Sequence, residues 1–173
     1  MELSRLLKPA AVRVVGHLTS KKRLFQEIAE QARTVYGVDA AQTLDALQER
    51  ESLGPTGVGH GVALPHARLH GLDRVVGLFL RLEKPLDFDA VDRQPVDLIF
   101  ALLAPKNAGV DHLKALALVS RTLRDQDLRV KLRANEDPVI LHAILSAAPA
   151  EKQVALFSAT MPPAIRRLSG TYL

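Results

Sequence analysis

Apolar residues recur at helical spacing through Leu24, Phe25, Ile28, Ala29, Ala32, Val35 and Tyr36, which predicts one amphipathic helix. Ser20 precedes it as a cap acceptor, and Gly37 follows as a stop that takes the left-handed conformation at little cost. A second helix opens at Asp39 with Gln42 three residues on, a capping-box arrangement. It buries Leu44, Ala46 and Leu47, runs toward Arg50 and ends near Gly54 and Pro55. Asp111 is expected to cap a third helix that presents Leu113, Leu116, Ala117, Ser120 and Leu123 on one side. Asp127 to Leu132 predicts a short helix, and Asp137 followed by Pro138 puts cap and first-turn proline in their preferred order for a last one.

Between these segments the period changes. Val12 to Leu18, Val62 to Leu64 and Arg74 to Leu82 read as strands, and Pro95 to Ala104 is apolar almost throughout apart from Asp97. Such continuous apolarity predicts a strand covered on both faces, and so a single α/β domain with a mixed β-sheet sandwiched by helices. Leu86 to Pro95, with Phe88, Asp89, Asp92 and Gln94, is the polar connection between the last two strands. No internal repeat or low-complexity tract interrupts the pattern. The domain is expected to occupy 1–148, leaving 149–173 as an extension.

Composition narrows the chemistry. The 173 residues are 47% hydrophobic but only 4% aromatic, so the core should be aliphatic, and the absence of cysteine removes disulfides, thiolate metal sites and cysteine nucleophiles. The first ten residues lack the apolar run of a signal peptide, and no stretch reaches the roughly 18 apolar residues needed to span a bilayer. A cytoplasmic protein without membrane insertion is the expectation. The formal charge of +4 divides evenly: residues 1–149 carry 20 cations against 18 anions, and the last 24 residues hold Lys152, Arg166 and Arg167 against Glu151. A domain so nearly balanced is not expected to track a nucleic-acid backbone.

Candidate chemistry concentrates in Gly57-Val58-Gly59-His60-Gly61-Val62-Ala63-Leu64-Pro65-His66-Ala67-Arg68. Its glycines let backbone approach an anion closely, yet no Gly-Lys-Ser/Thr ends it and Val62 stands where a dinucleotide fingerprint has its third glycine. His66 follows a short buried strand and Pro65, which should turn the chain out of the sheet abruptly and hold the imidazole at a defined angle. From composition alone an ordinary loop histidine is the commoner case. His112, in the first turn of its helix, faces the positive end of the dipole, which favours a neutral imidazole suited to an anionic group, although a surface histidine is again commoner. Arg50, ahead of the glycine loop, could reach the same place. A zinc cluster of His60, His66, His70 and His112 does not fit the spacing, and no Gly-x-Ser-x-Gly elbow supports a serine hydrolase.

Arg50-Glu51 with Thr56 to His66, Pro85 to Asp92 with Gln94 to Leu98, and Asp111-His112-Leu113 together resemble the signature of the fructose/mannitol-type (type-2) IIA domains of the phosphotransferase system, over roughly residues 3 to 146. Within that family the chain is most similar to the nitrogen-branch IIA regulators. The resemblance implies a phosphocarrier in which His66 is the phosphorylated nucleophile, His112 assists and Arg50 stabilises the phosphoryl group, without metal or organic cofactor. Thr56, Gly57, Gly59 and Gly61 would form the phosphate-binding loop, and His60 has no assigned part. The implied partners are an HPr-type phosphocarrier of the nitrogen branch and regulatory targets such as transporters or sensor kinases. A sugar-specific IIA passing phosphate to a separate IIB, and a regulator that works by binding alone, are the alternatives. The residues leave open which ring nitrogen of His66 reacts, because tautomers are set by partners.

Residues 151–173 resemble instead the Ser-Ala-Thr segment of DEAD-box RNA helicases, through Leu156-Phe157-Ser158-Ala159-Thr160-Met161-Pro162-Pro163. Without a P-loop or an Asp-Glu-Ala-Asp box this fragment is expected to be non-functional and weakly packed.

Overall fold

The computed structural model describes residues 1–148, so the expectations for 149–173 lie outside the described residues. Six strands, β1 (Val12–Val15), β2 (Gly57–Gly59), β3 (Val62–Ala63), β4 (His66–Leu69), β5 (Val76–Leu86) and β6 (Val96–Pro105), form one mixed sheet. Its spine is the antiparallel pair β5–β6, registered from Val76 opposite Leu103 to Arg81 opposite Leu98, with an irregularity before Leu86 meets Val96. β1 lies parallel to β5 on one side. On the other side of β6 run β3 and β4, both parallel to it, with β2 folded antiparallel onto β3.

Among the described residues six α-helices cover the sheet: α1 (Leu3–Leu6), α2 (Lys21–Tyr36), α3 (Ala40–Ser52), α4 (Val110–Leu123), α5 (Gln126–Arg133) and α6 (Pro138–Ser146). α2 packs on α3, while α4, α5, α6 and α1 form a second group, and both groups contact the sheet. Every residue of β6 except Asp97 is buried, as its continuous apolarity requires of a strand covered on both faces. Phe79 and Phe100 pair across β5–β6 with centroids 6.2 Å apart.

The predicted caps of α2 hold. Ser20 Oγ accepts from the Arg23 N–H, and Gly37 closes the helix at φ 74°. The Asp39 carboxylate accepts from Gln42 N–H at 2.8 Å, but the Gln42 side chain completes no capping box; its Oε1 accepts instead from the His70 N–H at 2.8 Å and ties α3 to the end of β4. Asp137 and Pro138 start α6 as the sequence predicts, with Asp137 accepting from the Val139 N–H.

The remaining expectations need correction. The first strand ends at Val15 rather than Leu18, and β5 runs from Val76 to Leu86, later than Arg74 to Leu82. The third helix is capped by Gly109, at φ 57°, and not by Asp111, which lies in its first turn without a side-chain cap bond. Its buried face is His112, Ala115, Leu118, Val119, Thr122 and Leu123, whereas Leu113 is 63% exposed. The pattern of leucines alone had put the stripe one residue out of phase. The connection 87–95 is polar only in part: Phe88 is wholly buried and meets Phe25 of α2 edge-on at 6.1 Å, because Ala90 and Val91 fold back onto Gly57. Pro65 does not turn the chain out of the sheet. Val62 pairs with Leu98 and His66 with Leu102, a constant offset, so β3 and β4 are one line interrupted at Leu64 and Pro65. Proline withholds one donor without shifting register, and its carbonyl still accepts from the Leu102 N–H at 2.9 Å.

Candidate functional site

Three segments distant in sequence converge on the start of β4: the last turn of α3 with Arg50, β4 itself with His66, and the first turn of α4 with His112. Successive strand residues point to opposite faces. His66 and Arg68 therefore share one face of β4, while Ala67 and Leu69 are buried on the other.

His66 is half-buried and both ring nitrogens are engaged. Nδ1 lies 2.9 Å from the Leu64 carbonyl, which can only accept, so Nδ1 carries the proton. Nε2 then holds a lone pair and accepts from Arg50 Nε at 3.2 Å. Burial lowers the His66 pKa below its ordinary 6.5, and the Arg50 guanidinium adds to this, while the Leu64 carbonyl and Glu51 oppose it. The net result favours a neutral imidazole whose Nε2 electron pair faces a cation.

His112 is 5% exposed and packs edge-on to His66, with ring centroids 5.6 Å apart at 70°. Its Nδ1 accepts from Arg68 Nε at 3.2 Å. Guanidinium is a donor only, so the ring proton sits on Nε2, and that buried atom has no protein partner among the described residues. Burial, then the neighbouring His66 and Arg68, push the His112 pKa down to about 4.

Arg50 and Thr56 are held in place from behind. Arg50 Nη1 donates to the Gly54 carbonyl at 3.0 Å, which closes the end of α3 over its own loop. The Glu51 carboxylate accepts from the Thr56 N–H at 3.0 Å, from the Thr56 hydroxyl and from Lys21 Nζ at 3.0 Å. The Thr56 carbonyl in turn accepts from the Leu64 N–H at 2.9 Å. A line of bonds therefore runs from Lys21 through Glu51, Thr56 and Leu64 to the ring of His66.

The site gathers His66, His112 and Arg50, with Thr56 directly behind them. It does not gather the glycines. Gly57 lies against Ala90 and Phe88, Gly59 against Asp92, and Gly61 against Asp97 and Arg133, which donates to the His60 carbonyl at 2.6 Å. Gly61 sits at the level of Asp97, five positions along β6 from Leu102, or roughly 16 Å at the usual strand rise. These glycines allow a tight hairpin to pack under the 87–95 connection. His60 turns that hairpin at φ 58°, exposed, with its N–H bonded to Asp92 Oδ2, and the exposed His70 bonds Gln42 of α3 through its backbone N–H. Sequence reasoning quoted Arg68 and Glu51 within its motifs but gave neither a part. The signal for Arg68 was the period of two counted from His66, hidden because the strand was ended at Leu64.

Comparison with known proteins places the chain in a family. A family model described as "Phosphoenolpyruvate-dependent sugar phosphotransferase system, EIIA 2" matches residues 5–148. A nitrogen regulatory protein of Bradyrhizobium diazoefficiens is 46% identical over 150 residues, covering 87% of this chain and 98% of that protein. A fructose-specific EIIA component of Haloferax volcanii is 39% identical over 120 residues, covering 69% and 77%. The crystal structure of nitrogen regulatory protein IIA-Ntr from Neisseria meningitidis superimposes with a TM-score of 0.75 at 36% identity, over 82% of this chain and 97% of that one.

Proposed function

The chain belongs to the EIIA 2 family of the phosphoenolpyruvate-dependent sugar phosphotransferase system, and from that premise we propose that it is a nitrogen-regulatory phosphocarrier that takes a phosphoryl group onto Nε2 of His66. One observation carries the choice of atom: Nδ1 is committed to the Leu64 carbonyl, and Nε2 keeps its electron pair on the side of Arg50.

In the proposed step the Nε2 pair attacks the phosphorus of a phosphohistidine on an HPr-type carrier. The Nε2–P bond forms as the donor's N–P bond breaks, and that electron pair returns to the donor ring. Positive charge builds on the His66 ring, where the Nδ1–H bond to Leu64 stabilises it. Arg50 exchanges its bond to Nε2 for one to a phosphoryl oxygen, and the free Nε2–H of His112 supplies a second donor. Positioning and charge stabilisation are what phosphoryl transfer asks of a protein, and a neutral imidazole is the nucleophile it needs. The depressed pKa values of both histidines support this, since protonation of His66 would remove its electron pair. Thr56 serves through Glu51 and Leu64 rather than by contact with phosphate, and Gly57, Gly59 and Gly61 shape the hairpin.

The likeness to nitrogen regulatory proteins supports a carrier whose phosphorylation state is read by regulatory targets such as transporters or sensor kinases. A second reading, delivery of phosphate to a separate sugar-specific IIB, draws support from the fructose-specific relative. Phosphoenolpyruvate-driven labelling with Enzyme I and a nitrogen-branch carrier tests the proposal. Wild-type protein should acquire acid-labile phosphate, His66→Ala none, and Arg50→Ala or His112→Ala should label about a hundredfold more slowly. Labelling of His66→Ala at the wild-type rate would overturn the assignment, and rapid transfer onward to a fructose-type IIB would favour the sugar reading.

A further inference from the structure

Arg68 is unclaimed by the mechanism so far, yet it is the cation bonded to the second histidine. Its Nε donates to His112 Nδ1 at 3.2 Å, and it stands two residues from His66 on the same strand face. The two imidazoles are held in opposite tautomers by opposite partners: a carbonyl fixes the proton of His66 on Nδ1, and a guanidinium fixes that of His112 on Nε2. The second arrangement leaves a buried Nε2–H without a partner, 5.6 Å from ring centre to ring centre beside the nucleophile. A buried donor left unmade is costly, and an anion arriving at His66 is the group that would relieve it.

We propose that Arg68 is a positioning residue for phosphoryl transfer, acting through His112 to keep it a neutral Nε2–H donor beside His66. The proposal rests on the phosphocarrier reading above. Arg68 acts in two ways at once. Its N–H occupies Nδ1, so the imidazole cannot present a lone pair to the phosphoryl oxygens, and its charge opposes protonation of the same ring. Loss of Arg68 frees the ring to turn over, to adopt the other tautomer and to take a second proton nearer the ordinary histidine range.

The test compares wild type, Arg68→Ala and Arg68→Gln by ring nitrogen-15 NMR of labelled histidine, with His112 signals identified by their loss in His112→Gln. Wild type should show a pyridine-type Nδ1 and a pyrrole-type Nε2 for His112. In Arg68→Ala these signals should average and the titration of His112 should move upward, with labelling from the phosphocarrier slowed about tenfold or more. Arg68→Gln, which still donates to Nδ1 but carries no charge, should keep the tautomer and recover part of the rate. If His112 signals and titration are unchanged in Arg68→Ala, or change with no loss of rate, the proposal is overturned while wild-type labelling leaves the phosphocarrier reading standing. Wild-type protein that never labels sinks both.

Discussion

His66 is half-buried and His112 buried, and what separates their proposed roles is a single hydrogen bond each. The Leu64 carbonyl leaves one with a lone pair on Nε2, and the Arg68 guanidinium leaves the other with a proton there, which is what the proposed roles of nucleophile and donor require. The same depression of pKa that suits the proposed chemistry has a consequence for stability. Unfolded His112 takes a proton near its ordinary 6.5, while the folded protein holds it neutral down to about 4. Between those values the unfolded state binds more protons, so stability present above 6.5 is lost as the pH falls toward about 4. His66 adds in the same direction. Denaturant unfolding at about pH 7 and about pH 5 should therefore show a smaller loss for His112→Gln than for wild type. Equal losses would remove His112 as the source. At this scale the histidines and Arg50 were legible in the sequence, while Arg68 and the choice of nitrogen were not, because a tautomer depends on which groups fold against the ring.

Among the elements, the β2–β3 hairpin and the connection 87–95 were the least legible. Four glycines between Gly54 and Gly61 read as an anion cradle, yet three of them have their side-chain space filled by Ala90, Asp92, Asp97 and Arg133. Glycine density announces a close approach but does not say whether a ligand or the chain's own backbone makes it. A Cβ added at Gly57 would stand 2.7 Å from Ala90 Cβ and 2.9 Å from its Cα, part of a backbone that cannot swing aside. Gly57→Ala should cost about 1–3 kcal/mol. Gly16→Ala, where nothing lies within 4 Å, is the control and should be nearly neutral. Urea midpoints check the pair, and comparable values for both variants would dismiss the packing role of the hairpin. α4 shows the complementary error. Its leucines suggested one face, but Ala115, Leu118, Val119 and Leu123 line the buried one, which carries His112 inward and leaves Leu113 facing out.

For the whole molecule, the sheet does the assembling. β6 carries β3 and β4 along one edge in a constant register, so the hairpin and the strand that bears His66 are fixed relative to each other and to the core pair β5–β6. Both helical groups then deliver one side chain each, Arg50 from α3 and His112 from α4, to the same strand end. Among the described residues no helix is long and apolar enough to cross a membrane. The family match ends at residue 148, which motivates a chain-length prediction. A protein ending at Ala148 should label at the wild-type rate and melt within a few degrees of the full chain, as measured by phosphoryl transfer and calorimetry. Loss of either property would make residues 149–173 part of the working unit.

The sequence by itself determined the types of the elements it predicted, most of their caps, the doubly covered β6 and the family signature that contains His66, His112 and Arg50. These are local: periodicity, cap chemistry and motif order are written in neighbouring residues and survive without knowledge of distant ones. Only the tertiary structure decided that Pro65 stays in the sheet, that the glycines pack against the chain itself, and that Arg68 meets His112 while Leu64 meets His66. Each of those depends on a register or a contact between segments tens of residues apart, and hydrogen bonds, unlike hydrophobic periodicity, are specified atom by atom only after the chain has folded.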